Sequence, residues 1–328
     1  MEGMVVSYRP LGGESLGVRS LAALVETPDL RILLDAGASL AMRSRTLPHP
    51  EEYKELERTR NRIREAAQVA DYVSISHYHF DHYTATWKDI DAVWTWSSYD
   101  AAREIYGGKI VFAKEYRSSI NPSQRERGYI FGKMAKDFVK EIVYVDGKKI
   151  QVDDTTISFS GPMPHGEEGT PLGYVLMTSI SHGDESILHC SDIQGPISSV
   201  TRDFILAAKP TTLILSGPPL YLSGFKVDPT SVRRGIRNLE KLARAVPVTI
   251  VDHHLLRSIE GLATVSKLRG IAERSGNSIK TTAEYLTREN TLLEAERMRI
   301  YEEKPPSKDF LKWSRMRESK RAKTIPPY

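Results

Sequence analysis

The segment Ser76 to His82 reads S-H-Y-H-F-D-H and places His77, His79, Asp81 and His82 within six residues. Imidazole and carboxylate are the groups that a borderline cation such as zinc takes from a protein. His77 and His79 alternate and could chelate one ion, while Asp81 and His82 point elsewhere and could serve a second. Three of the nine histidines of the chain fall in this one stretch, a density that metal sites characteristically require.

A cluster of this kind needs a rigid element to carry it. DYVSIS, immediately before it, is a β-branched run and predicts a strand, so the histidines fall on the loop at that strand's end. Other candidate ligands sit at similar places. Asp35 ends the strand RILLD, Asp192 ends SILHCSD, and His253 and His254 end VTIVDHH. His165 lies in SGPMPHGEEGTPLGYVLM, a loop between strands. Six of the nine histidines thus fall at strand ends.

The remaining elements alternate in a telling order. VVSYRP, SLAALVE, AVWTW and KIVFA read as strands, and Pro50 to Ala70 reads as a helix with proline at its start and acidic residues in its first turn. A second helix is expected over Asn121 to Glu141. From Ile142 the strands IVYVD, KKIQVD, TTISFS, GYVLMTS and SILHCSD follow. Then come a helix near Val200 to Ala208, the strand TTLILSG, a helix near Pro229 to Ala245 and the strand PVTIVD. Two packed sheets with helices outside, an α/β/β/α sandwich, accommodate this order. Residues 1–257 are expected to form this domain. Residues 258–328, helical and basic, are expected to pack on it as an extension ending in a loose tail.

Composition bounds the reading. The chain has 328 residues, 40% hydrophobic and 27% charged, with a net charge of +4. That supplies a sizeable core and excludes disorder over most of the length. Cys190 is the only cysteine, so an intrachain disulfide framework and a cysteine-rich zinc finger are excluded. Four Gln and five Asn beside abundant Glu, Lys and Arg lean towards a thermophile-like balance. No export signal and no run of ~20 apolar residues is visible, so a cytoplasmic protein without a membrane partner is expected.

Taken together and in this order, Asp35, the H-x-H-x-D-H cluster, His165, Asp192 and His253 or His254 resemble the marks of the metallo-β-lactamase superfamily. The stretches ESLGVRS, SHYHFDH and VDHHLLR look most like a mainly archaeal branch of it. The resemblance covers Met4 to about His254 and implies a four-layer α/β/β/α sandwich. It also implies that His77, His79 and His165 hold one divalent ion, that Asp81, His82 and one of His253 and His254 hold a second, and that Asp192 bridges them. Asp35 would orient a ligand histidine. His253, first after the strand, is taken as the ligand, which leaves His254 for proton transfer or substrate contact. Neighbours on a strand point to opposite faces, so only one of the two is expected to reach an ion.

Two cations, zinc with manganese or iron as the other candidates, would activate a bridging hydroxide that Asp81 could orient. Histidine rather than glutamate at position 79 separates this cluster from di-iron, oxygen-reducing members and favours hydrolysis. Candidates for protonating the leaving group are the unused histidine of the pair, His182 and His189. For the substrate, Arg233, Arg237, Lys241 and Arg244 share one helical face, and Lys133, Lys136 and Lys140 form a second stripe. With the basic C-terminal segment these could track a phosphate backbone, which points to phosphodiester bonds of nucleic acid or nucleotides. Trp94 and Trp96, or Tyr78 and Tyr83 beside the cluster, could stack on a base, with core packing the alternative. Two other readings are kept: a small-molecule hydrolase of a lactone, thioester or phosphate ester, and a metal-binding or sensing protein without turnover.

Overall fold

The computed structural model describes residues 5–43, 45–88, 94–95 and 97–328. Strands β1 (Ser7–Pro10), β2 (Ala23–Glu26), β3 (Arg31–Leu34), β4 (Tyr72–Ile75), β5 (Ile110–Ala113) and β6 (Glu141–Tyr144) form one sheet in that order. The first three run antiparallel, and β3 to β6 run parallel. The second sheet uses β7 (Lys149–Val152), β8 (Thr155–Phe159), β11 (Thr178–His182), β12 (Glu185–His189), β13 (Thr212–Ser216), β14 (Val248–Asp252) and β15 (Ser278–Lys280), in the order β15-β14-β13-β12-β11-β8-β7. Here β12 to β15 are parallel and the rest antiparallel. The pair β9 (Met163–Pro164) and β10 (Tyr174–Val175) makes a small separate hairpin, inserted in the chain between β8 and β11 of the second sheet.

Alternation along the strands sorts side chains into three layers of core. Val25, Ile32, Leu34 and Phe112 of the first sheet meet Ile157, Ile180, Ile187, Ile214 and Ile250 of the second. Leu24, Leu33, Val73 and Val111 face the other way, onto α1 (Pro50–Val69), α2 (Tyr99–Tyr106) and α3 (Pro122–Ala135). Leu188, Leu213, Leu215 and Val251 pack outward on α4 (Ser199–Ala208), α5 (Pro229–Ala245) and α6 (Glu260–Glu273). The result is the expected four-layer α/β/β/α sandwich. Three of the long helices start with a side-chain cap and a proline in the first turn: His49 and Glu52 form a capping box on α1, Asn121 caps α3 and Asp228 caps α5.

Several local expectations are corrected. The helix expected to Glu141 ends at Ala135, because Phe138 and Val139 turn inward onto the first helical core and Glu141 already opens β6. GYVLMTS is split between β10 and β11. In AVWTW, Ala92, Val93 and Trp96 lie outside the described residues, and Trp94 is buried with φ near 46°, which is not strand backbone. The strand expected to include both histidines of VTIVDHH stops at Asp252. His253 to Arg257 form a 3-10 turn whose first N–H is accepted by Asp252 Oδ1 at 2.7 Å.

Residues 258–328 join both halves of the sandwich. β15 extends the second sheet, while Phe310 and Trp313 enter the helical core of the first. Arg297 makes a buried two-pronged contact with Glu52 of α1, at 2.7 and 2.8 Å. At the chain end, Tyr328 stacks on Tyr53 and donates to Glu57. No described helix is long and apolar enough to cross a membrane.

Candidate metal centre

The parallel strands of both sheets end on the same edge of the sandwich, and the candidate ligands occupy the loops there. Asp35 follows β3, His77 to His82 follow β4, Asp192 follows β12, and His253 and His254 follow β14. His165 comes from the hairpin loop between β9 and β10, where its N–H bonds Gly173 O at 3.0 Å. Tight backbone makes this convergence possible. Asp35, Ser191, Gln194 and His253 all have positive φ, uncommon for residues other than glycine and concentrated at functional loops. Gly37 is needed for a different reason: a Cβ there would lie 2.2 Å from Tyr83 N and 2.6 Å from the His82 carbonyl carbon.

The donors fall into groups. Ligand atoms of His77, His79, His165 and Asp192 all lie within 4.8 Å of one another, as do those of Asp81, His82 and His253, and those of Asp192, His253 and His254. Asp192 therefore belongs to two groups. Its Oδ2 lies 2.7 Å from His165 Nε2, 3.1 Å from His254 Nε2 and 3.6 Å from His253 Nε2. The alternation argument for the histidine pair fails, since on a 3-10 turn both rings reach the same carboxylate. His254 lines the open cavity, whereas His253 is fully buried.

Outer partners fix the rings. Asp35 Oδ2 accepts from His82 Nδ1 at 2.9 Å, from Ser76 Oγ at 2.8 Å and from Ser191 Oγ at 2.6 Å, and Oδ1 accepts the Ser76 N–H at 2.9 Å. Glu14 does the same for His253, accepting from Nδ1 at 2.8 Å. In each case the carboxylate holds the proton on Nδ1 and turns Nε2 to the site. Gln124 Nε2 lies 3.3 Å from His79 Nε2, and Tyr221 OH lies 2.9 Å from His254 Nδ1. Arg257 bonds Glu14 at 2.6 Å and Asp81 at 3.2 Å.

Charge in this buried cluster is polarised. Burial, then neighbouring His82 and His79, hold His77 well below the ordinary imidazole range. Burial and His165 lower His79 to about 3, and burial and Arg257 lower His254 to about 4. Burial opposes a charge on His253, but the Glu14 carboxylate outweighs it and raises that ring to about 10. Burial also opposes ionisation of Asp81 and Asp192, yet the surrounding histidines, with Arg257 at Asp81, keep both well below the usual carboxylate range. Neutral His77, His79 and His254 beside ionised Asp81 and Asp192 are in the state in which such groups ligate a cation, whereas His253 must give up a proton to do so. The His165 Nδ1 and Asp192 Oδ1 atoms are buried without a hydrogen-bond partner, which is costly unless a cation or water engages them. The residues present therefore fit divalent cations.

A cavity of about 740 Å³ opens over the cluster, with His79, Asp81, His165, Asp192 and His254 on its floor. Phe80, Leu40, Ile197 and Leu222 supply apolar wall, and Arg127, Lys226, Glu167 and Glu168 supply charge. Other expected residues lie elsewhere. Arg233, Arg237, Lys241 and Arg244 are exposed on α5 and none lines the cavity, and Lys133, Lys136 and Lys140 are likewise exposed. Tyr78, Tyr83 and Trp94 are buried in the core. His189 bonds Leu21 O from a buried position. His182 bonds Thr155 and Asp29 at the far end of β11, since it pairs with Glu185 at the start of β12. Neither is among the residues lining the cavity, so both drop out as proton donors there. Glu14, Arg257, Gln124 and Tyr221 were not singled out from sequence. The only signals were an acidic residue after Gly12-Gly13 and an arginine one helical turn beyond the histidine pair.

No protein-family model matches the chain. In structure it is similar to CmlA, a diiron β-hydroxylase from Streptomyces venezuelae, at a TM-score of 0.50 and 12% identity, over 84% of this chain and 52% of that one. The chain thus spans about half the length of CmlA, and the likeness is one of fold. It is also similar to Tm1679, a metal-dependent hydrolase of the β-lactamase superfamily, at a TM-score of 0.45 and 11% identity, over 84% and 94% of the two chains. In sequence, the UPF0282 protein MK0213 of Methanopyrus kandleri is 40% identical over 289 residues, 88% of this chain and 96% of that relative. Matching relatives are UPF0282 proteins of archaeal species, in keeping with the archaeal resemblance of the motifs. Identity at this level over nearly the full length of both chains exceeds what a shared fold imposes, and the chain belongs to the UPF0282 protein family.

Proposed function

We propose that the protein is a metal-dependent hydrolase of a small anionic ester, a phosphodiester of nucleotide size ahead of a lactone or thioester. The observation that carries this reading is the convergence of His77, His79, His165, Asp192, Asp81, His82 and His253 beneath one cavity. His77, His79, His165 and Asp192 would hold one divalent cation, zinc by donor type, and Asp81, His82, His253 and Asp192 a second. Such a pair, when bound, supplies an activated water near neutral pH and neutralises charge on the attacked centre.

The chain's own groups do the rest. Asp35 and Glu14 keep the Nε2 atoms of His82 and His253 facing the cations. The Asp81 carboxylate accepts a hydrogen bond from, and so orients, an attacking water. His254 accepts a hydrogen bond from the Tyr221 hydroxyl at Nδ1, so its neutral ring presents the Nε2 hydrogen to the site, where it donates a hydrogen bond that stabilises charge on the leaving oxygen. The apolar wall limits water access. Arg127 lies over the Phe80 ring, 4.2 Å from its centroid, and neither it nor Lys226 has a carboxylate partner among the described residues. Two wall cations without a carboxylate partner favour an anionic substrate, since Glu167 and Glu168 of the same wall are engaged by Ser231 and Ser198.

The test uses bis-p-nitrophenyl phosphate and a lactone panel with zinc-loaded protein. Turnover of one of them is expected. His79→Ala and Asp192→Ala should each lower it by more than the ~10–100-fold that loss of an outer partner costs, with the circular dichroism spectrum retained. Undiminished turnover in both variants would place the chemistry elsewhere. The exposed stripe on α5 is the observation that favours a nucleic-acid substrate. Anisotropy with labelled RNA over a salt series decides that reading, because each phosphate contact to a single strand adds about −0.7 to the log–log slope. Absence of binding at low salt removes it.

A further inference from the structure

Arg257 stands inside the second ligand group. Its Nη2 lies 3.2 Å from Asp81 Oδ2 and 3.0 Å from His253 Nε2, while its Nε donates to Glu14 Oε1 at 2.6 Å. The side chain is 4% exposed. Among the described residues, no lysine or arginine bonds His77, His79, His165 or Asp192. The nearest outside groups there are neutral, the Gln124 amide and the Ser76 hydroxyl. The two positions are therefore alike in donor type and unlike in charge.

A guanidinium stays charged at any pH the protein tolerates and has hydrogens to donate but no lone pair to accept with. It meets ligand atoms from the side a cation would use. An imidazole nitrogen has a single bonding position in the ring plane, so His253 Nε2 cannot face Arg257 Nη2 and a cation together. Like charges a few ångströms apart in a buried site also repel far more than in water. Glu14 keeps the guanidinium from leaving, because one carboxylate ties both Arg257 Nε and His253 Nδ1. If Nη2 is displaced, the side chain can stay on Glu14 through Nε and on Tyr221 OH, which already lies 3.3 Å from Nη1.

Building on the metal-dependent reading of the site, we propose that Arg257 is a built-in occupant of the second cation position. The two positions fill in order: the one made by His77, His79, His165 and Asp192 first, and the one made by Asp81, His82 and His253 only as the incoming cation displaces the guanidinium. Arg257 is a positioning residue that sets the occupancy of the centre.

The experiment titrates cation-free full-length protein with zinc chloride against a competing chelator at fixed pH and ionic strength. Bound zinc is counted by elemental analysis after dialysis. Wild type should bind in two steps, the second weaker by about 10–100-fold, the range over which groups around a site tune its affinity. Arg257→Gln should tighten the second step by about tenfold or more and leave the first unchanged, since the charge is removed and the donors are not. Arg257→Lys keeps the charge and should stay near wild type. Thermal melts establish that each variant folds, and the wild-type and Arg257→Lys isotherms decide the matter if Arg257→Gln does not. Equal affinities for two zinc ions in wild type, or a second step no tighter in Arg257→Gln, overturns the proposal and leaves the hydrolase reading standing. A wild type that takes up no zinc overturns both.

Discussion

His253 and His254 are neighbours in sequence with different surroundings. His253 is sealed and tied to Glu14, whereas His254 faces the cavity and stacks on Tyr221 with ring planes 9° apart. His253→Ala is expected to lose one of two bound zinc ions by elemental analysis. His254→Ala is expected to keep both and lose turnover of the chromogenic ester. The reverse pattern would exchange the two roles. The His77 to His82 cluster was legible because its ligands are close in sequence and their types carry the chemistry. Glu14 and Arg257 were not, because their chemistry exists only through contact across 239 to 243 residues of chain. No local pattern marks an acidic residue that will meet a histidine so far away.

Strands and long helices were readable from periodicity, since each needs one apolar face, but the loops that aim the ligands were not. Asp35 and His253 have left-handed backbone that neither residue type demands, imposed by the packing around them. Asp35 is held there by four hydrogen bonds. The Ala36–Gly37 turn presses on the backbone of His82 and Tyr83, which makes it a sensitive point. Gly37→Ala should destabilise the protein by about 1–3 kcal/mol or more, as overpacking does, and should also weaken zinc binding because His82 moves. Chemical denaturation and zinc titration of that variant check both, and an unchanged midpoint with unchanged affinity would contradict the close approach. The turn at the histidine pair is hidden for the same reason: VTIVDHH continues as strand by propensity, but Asp252 caps a turn instead.

At the scale of the molecule, the segment after Ser258 anchors onto the N-terminal half by buried charge. Glu294 receives two hydrogen bonds from Arg19, both 2.6 Å. Burial opposes ionisation of Glu294, and Arg19 outweighs it and lowers the carboxyl from 4.5 to about 2. A depressed carboxylate contributes stability that is complete above the unfolded value and is lost as pH falls through the folded one. The Glu294 contribution, on the order of 3 kcal/mol, should therefore disappear between about pH 4.5 and pH 2. Melting curves of wild type and Glu294→Gln over that range check it: the gap between them should be widest near neutrality and close towards pH 2.

The two ligand groups draw on both sheets. His77, His79, Asp81 and His82 follow β4, while Asp192 and the histidine pair follow β12 and β14. A set of contacts joining such distant stretches forms late in folding, after the sheets have docked, because long loops must close before it is rewarded. Interactions absent from the transition state act on escape from the native state and leave the route into it alone. Zinc should therefore slow unfolding in denaturant several-fold while leaving the refolding rate as it is in chelator. Stopped-flow folding in the two conditions measures this, and a faster refolding limb with zinc would mean that the centre assembles early. On this account the cations act as a kinetic lock, extending the lifetime of the folded chain in proportion to how fully the centre is loaded.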